Sequence, residues 1–140
     1  MDAARDFRKA AESRDFSDLE RLFAKDAVFH SPVKFKPFVG REMVVSLLRV
    51  VLETFTDFRY VGELDGSVDG SGGLPLESSV LVFRAALGEK AIHGIDLIQV
   101  GDSGLIEEFT VMVRPLSAAH ALSEAVGNAL VAAGLVPPPG

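Results

Sequence analysis

The chain has 140 residues, 48% of them hydrophobic, with ten phenylalanines and a mean hydropathy of +0.27, which is enough for one domain to bury a core. It has no cysteine, which excludes disulfides, thiol nucleophiles and thiolate metal ligands. Fourteen basic against twenty acidic residues give a net charge of −6, which repels phosphate backbones and anionic lipid, so neither nucleic acid nor a membrane is an expected partner.

The apolar runs are broken by Ser46, Arg49 or glycine well short of a membrane span. The start, Met1-Asp2-Ala3-Ala4-Arg5-Asp6, lacks the basic-then-apolar pattern of a secretory signal, and a cytoplasmic domain is expected.

In chain order, Ala3, Phe7, Ala10 and Ala11 predict a helix over 2–13. Ser17 and Glu20 have capping-box spacing, in which the hydroxyl takes an orphan backbone N–H and the carboxylate reaches back. They predict a short second helix with Leu19, Leu22 and Phe23 on one face. A short strand from Val28 is stopped by Pro32, and an irregular segment runs to Gly40. From Arg41 to Phe55 the polar residues Glu42, Ser46, Arg49 and Glu53 form one stripe, and the remaining surface is apolar, so most of this third helix is expected to be buried.

Strands follow. Phe58 to Leu64 is the first, and the glycine-rich stretch from Asp65 to Gly73 reads as a flexible loop. Its Asp65-Gly66-Ser67-Val68-Asp69-Gly70 lacks the closing glutamate of a calcium loop, since Leu76 stands there. Segments 79–87, 91–100 and 105–114 are joined by short glycine turns, predicting an antiparallel meander. Helices gathered before such a sheet make an α+β architecture.

On the last strand Leu105, Phe109, Val111 and Val113 share one face, with Ile106, Glu108, Thr110, Met112 and Arg114 on the other. Val80 to Ala86 is apolar on both faces apart from Arg84, so the sheet needs a cover on each side, and a homodimer through its outer face is expected. The apolar tail from Ser117 to Ala133 reads as a helix ending at Gly134 and Pro137-Pro138-Pro139.

Taken together, the segment from Phe23 to Pro32, Phe38-Val39-Gly40-Arg41-Glu42 before a long helix, and the strand from Gly104 to Pro115 resemble the SnoaL-like branch of the nuclear transport factor 2-like superfamily. The resemblance implies a cystatin-like cone over residues 1–116, with helices packed into a strongly curved antiparallel sheet. Residues 117–140 are expected to be a C-terminal helical extension of the same domain. It also implies an apolar pocket and a dimer. It does not fix a reaction, because this fold serves isomerases, cyclases, epoxide hydrolases and binding modules alike.

Residue by residue, the ketosteroid isomerase set is not retained. The first-helix tyrosine position falls on Phe7 and the general-base position on Ser31, while Asp96 matches the acid kept protonated by an apolar site. The arginine of the limonene epoxide hydrolase branch would stand at Gly94.

Asp96 shares a strand face with Ile92, Gly94, Ile98 and Val100, a setting that raises a carboxyl pKa and suits a proton carrier; the alternative is a buried carboxylate with a structural partner. His30, near the isomerase base position, is a second candidate for moving a proton, against a structural role at a strand end. His93 is expected on the opposite face and His120 in solvent, with no metal-ligand spacing among them. Arg114 is read as a site for an acidic ligand group or as half of a pair with a nearby glutamate.

The expected lining of the pocket is Phe7, Ser31, Tyr60, Phe109, Val111 and Val113, with no cofactor and no metal. Binding of a small apolar organic molecule is the leading expectation. A cyclase- or isomerase-like enzyme using Asp96 is the first alternative, and a non-enzymatic interaction module the second.

Overall fold

The computed structural model describes residues 2–135, so Pro137–Pro139 lie outside it. Helix α1 (Asp2–Ser13) buries Ala3, Ala4, Phe7 and Ala11 along one stripe, and the i,i+4 pair Arg8–Glu12 (3.3 Å) lies on its solvent side. The capping box does not form. Ser17 Oγ donates instead to Asp15 Oδ1 at 2.7 Å, and Leu19–Leu22 makes a single 3-10 turn with no side-chain cap. The reason lies one residue on. Phe23, expected on the helix, opens strand β1 (Phe23–His30) and is fully buried there, stacked on Phe109, so only four residues remain for a helix.

Strand β2 (Phe38–Val39) pairs with β1, and Gly40, at φ 106°, turns the chain into α2 (Arg41–Thr54). Val44, Val45, Leu47, Leu48, Val51 and Leu52 of α2 are buried. The glycine-rich stretch is strand as far as Asp69. Asp65 to Asp69 of β3 (Thr56–Asp69) pair residue for residue with Ser79 to Pro75 of β4 (Pro75–Leu87), which leaves five residues, 70–74, as the connection. Pairing satisfies the backbone polar groups that glycine leaves open to solvent.

Strands β5 (Lys90–Val100) and β6 (Ile106–Arg114) complete a six-stranded curved sheet in the order β2-β1-β6-β5-β4-β3. The meander β3 to β6 is antiparallel, as the short turns imply, while β1 lies parallel to β6. A register shift between Gln99 and Val100 opposite Glu107 departs from simple alternation and turns Ile106, expected on the outer face, into the core beside Phe23.

Helix α3 (Leu116–Ala132) packs on α2 and on the faces of β4 to β6 turned toward the helices, with Ala118 and Leu122 buried. The helices therefore all lie within the curve of the sheet. Its outer face carries Leu64 (69% exposed) and Met112 (52% exposed), together with half-buried Val80, Val82, Ile95 and Leu97. No helix among the described residues is long and apolar enough to cross a membrane.

Candidate functional site

The inner face of the sheet holds a carboxylate among hydrophobic side chains. Asp96 is directly opposite Leu81 on β4 and Val111 on β6, and Ile92, Gly94 and Ile98 flank it along β5. Tyr60 on β3 donates its hydroxyl to Asp96 Oδ2 at 2.7 Å. The Tyr60 ring meets Phe58 edge-on at 5.0 Å, and the Arg8 guanidinium lies over it at 5.6 Å.

Burial pushes the Asp96 carboxyl up to about 7, against the opposing pull of the Tyr60 hydrogen bond. Burial, and then the negative charge of Asp96, push the phenol of Tyr60 well above its ordinary value. The pair therefore titrates through Asp96. Its second oxygen, Oδ1, accepts no hydrogen bond from the described residues. Among the described residues no fully buried side-chain oxygen or nitrogen lacks a partner, so Oδ1 keeps a little accessible surface.

Gly94 explains why an arginine does not stand two residues before Asp96. A Cβ there would come within 2.5 Å of Phe83 and 2.6 Å of the Met112 carbonyl oxygen. That volume is already filled by a buried aromatic ring.

A cavity of about 400 Å³ opens between α2, α3 and the loop after β1. Its walls are apolar: Phe29 and Val111 from the sheet, Leu47 and Val51 from α2, Leu122 and Val126 from α3. Lys34 is the one charged side chain among the described residues that line it. Ser31 stands at its edge, with Oγ accepting from the backbone N–H of Lys34 (3.0 Å) and Val33 (3.4 Å).

The structure thus distributes the expected site residues. Ser31 and Val111 line the cavity. Phe7 and Phe109 are packed edge to face at 4.8 Å in the core, with Phe29 also against Phe109, so these rings fill space rather than bound it. Tyr60 serves Asp96, and Val113 is half-buried against the core. Asp96 itself stands next to the wall, one strand from Val111.

His30 stands on the other side of the sheet. It is opposite Thr110, and its Nε2 lies 2.9 Å from Glu108 Oε1 on the outer face. It is therefore not brought together with Asp96. Glu108 also accepts from the Ser71 N–H at 2.7 Å, which fastens the β3–β4 connection over the outer face. Burial raises the Glu108 carboxyl, but the bonds from His30 and Ser71 together outweigh it and hold the group below the usual range.

The cavity residues of α3 were not singled out from the sequence. Leu122, Val126 and Leu130 lie at i, i+4 and i+8, and this spacing is the signal that marks one helix face turned to a common surface. No group of three or more metal-ligating side chains occurs among the described residues.

The fold is α+β, with helices held inside a curved sheet, an apolar cavity and a buried acid beside it. Residues 4–109 match the SnoaL-like domain model, and the chain belongs to that family. A steroid delta-isomerase from Pseudomonas aeruginosa is similar at 37% identity over 96% of this chain and 93% of its own, with a TM-score of 0.81. An uncharacterised cystatin-like protein from Silicibacter pomeroyi is similar at 28% identity over 93% and 86%, also with a TM-score of 0.81. A de novo designed protein with a curved β-sheet shares the fold alone, at 13% identity over 90% and 92% with a TM-score of 0.65. The chain matches no curated protein at a significant level.

Proposed function

We propose that the protein binds a small, largely apolar organic molecule in the cavity between α2, α3 and the loop after β1. The observation that carries this reading is the cavity itself. Its volume of about 400 Å³ is within the range of small-molecule sites, and its walls are mainly aliphatic and aromatic with few polar groups. A thermal-shift screen against apolar molecules tests it. A ligand at a hundred times its dissociation constant adds about 2.7 kcal/mol, and Val126→Phe, which projects a ring into the cavity from α3, abolishes the shift. Silence across a broad panel, or a shift that survives Val126→Phe, overturns the reading.

A second reading is favoured by the acid beside the wall. With a carboxyl near half-protonation at neutral pH and a tyrosine holding it, Asp96 suits proton transfer of the isomerase or cyclase kind. The similarity to a protein described as a steroid delta-isomerase supports this alternative. Phe7 and Ser31 stand where that chemistry would want a hydroxyl donor and a base. On this reading Asp96→Asn abolishes turnover of an identified substrate while leaving binding and fold in place.

The partner reading is a homodimer through the outer sheet face. Its support is the run of Leu64, Val80, Val82, Ile95, Leu97 and Met112 on a surface that no helix covers. Sedimentation of wild type against Met112→Glu tests it, and a monomeric wild type ends it.

A further inference from the structure

Four basic groups stand in one transverse row across the outer face. Arg59 on β3 is opposite Arg84 on β4, Arg84 is opposite His93 on β5, and His93 is opposite Arg114 on β6. Cross-strand partners share a face, and like charges directly opposite one another destabilise a sheet. Arg59 is neutralised by Asp57, with Nη1 at 3.1 Å from Oδ2. Arg84 and Arg114 have no carboxylate partner among the described residues.

The charged form of the imidazole between the two arginines is disfavoured. Arg114 Nη1 lies 3.5 Å from His93 Nδ1 and donates to it, which puts the ring proton on Nε2. Partial desolvation, then the charges of Arg84 and Arg114, hold His93 below the usual imidazole range. Beside it lies a hollow of about 200 Å³, with Ile95, Met112 and Val113 among its walls. In a protein of net charge −6, this is uncompensated positive charge concentrated at one end of an otherwise apolar face.

We propose that Arg84, His93 and Arg114 form a binding site for a small multivalent oxyanion, a phosphate or a di- or tricarboxylate, on the outer face of the sheet. Strands two apart are separated by about 10 Å, and Arg84 and Arg114 flank His93 from the two neighbouring strands, with Arg114 in contact with its ring. Each guanidinium presents a planar fork of N–H donors matched to two oxygens. His93 donates from Nε2 when neutral and gains a proton as the anion's charge offsets that of the arginines.

The test follows the His93 ring protons by NMR while sodium citrate, and separately sodium phosphate, replaces sodium chloride at constant ionic strength. The expected result is a saturable shift of His93, absent for His120, and a rise of about one unit in the His93 pKa at saturation. Arg84→Gln and Arg114→Gln each weaken the anion about tenfold or more, and Arg59→Gln leaves it within about twofold. Without anion, Arg84→Gln raises the melting temperature by relieving repulsion. A linear response shared with chloride, or affinity unchanged in the Arg84 and Arg114 variants, overturns the site. So does a His93 shift that follows protein concentration rather than added anion, since the occupant is then a carboxylate of a second copy.

Discussion

Two carboxylates on neighbouring strands point to opposite faces of this sheet and are driven in opposite directions. Asp96 on β5 faces the helices and receives one hydrogen bond, from Tyr60; burial wins and its proton is held to about pH 7. Glu108 on β6 faces outward and receives two, from His30 and the Ser71 N–H; these win over burial and its proton is released early. The difference shows that burial alone does not make an acid. What decides is the balance between burial, which is deeper at Asp96, and the donors the fold aims at each carboxylate.

The contrast between the faces is first sharpened by truncation. Phe109→Ala removes a ring packed against Phe7, Phe23 and Phe29 and is expected to cost about 3–5 kcal/mol in urea unfolding. Met112→Ala on the exposed outer face costs under about 1 kcal/mol in the monomer. Equal costs would mean that the outer face is as tightly packed as the inner.

The second expectation concerns pH. Asp96 is raised from 3.8 to about 7, so the folded state binds more protons than the unfolded between those values. Its contribution is full below about pH 4 and is lost as pH rises to about 7, at most roughly 4 kcal/mol. Asp96→Asn mimics the protonated form and removes this decline, so it stabilises more at pH 8 than at pH 5. A flat difference across that window would place the Asp96 pKa near its ordinary value.

Next in size is Gly94→Ala, expected to cost about 1–3 kcal/mol because a backbone carbonyl and the Phe83 ring occupy the space. Gly66→Ala, with nothing within 4 Å, serves as its control. Glu108→Gln is expected to cost about 1–2 kcal/mol near pH 7. Because the Glu108 pKa is lowered, this contribution is present above the unfolded value and disappears as pH falls through the folded one, the reverse of Asp96. A thermal melt series from pH 3 to 8 on both variants reads the two slopes together.

Much of the inner face was legible in the sequence because strand alternation and burial agree there. Asp96, Ile92 and Ile98 sit on the side that period-two reading assigns them. The meander was legible because its turns are short and rich in glycine. What local patterns could not show was β1. Its parallel pairing with β6 is a long-range contact, and that pairing sends His30 to the outer face and draws Phe23 out of the helix its spacing suggests. The capping-box pattern at Ser17 failed for the same reason, since tertiary packing of the next residues overrode a sound local signal. The cavity was only half legible. Val111 and Ser31 came from strand phase and resemblance, whereas the α3 wall depends on where a helix beyond the last strand folds back.

That helix has a consequence of its own. The family match ends at residue 109, yet α3, which begins at Leu116, supplies Leu122, Val126 and Leu130 to the cavity. The sheet and α2 form the frame, and a separate segment sets the bore. Val126, half-buried on the cavity wall, is the position of the three at which size can change with least disturbance of the core, since Leu122 and Leu130 are core residues. On the proposed reading, the fold is an exchangeable-wall vessel, in which ligand choice can drift while the frame stays fixed.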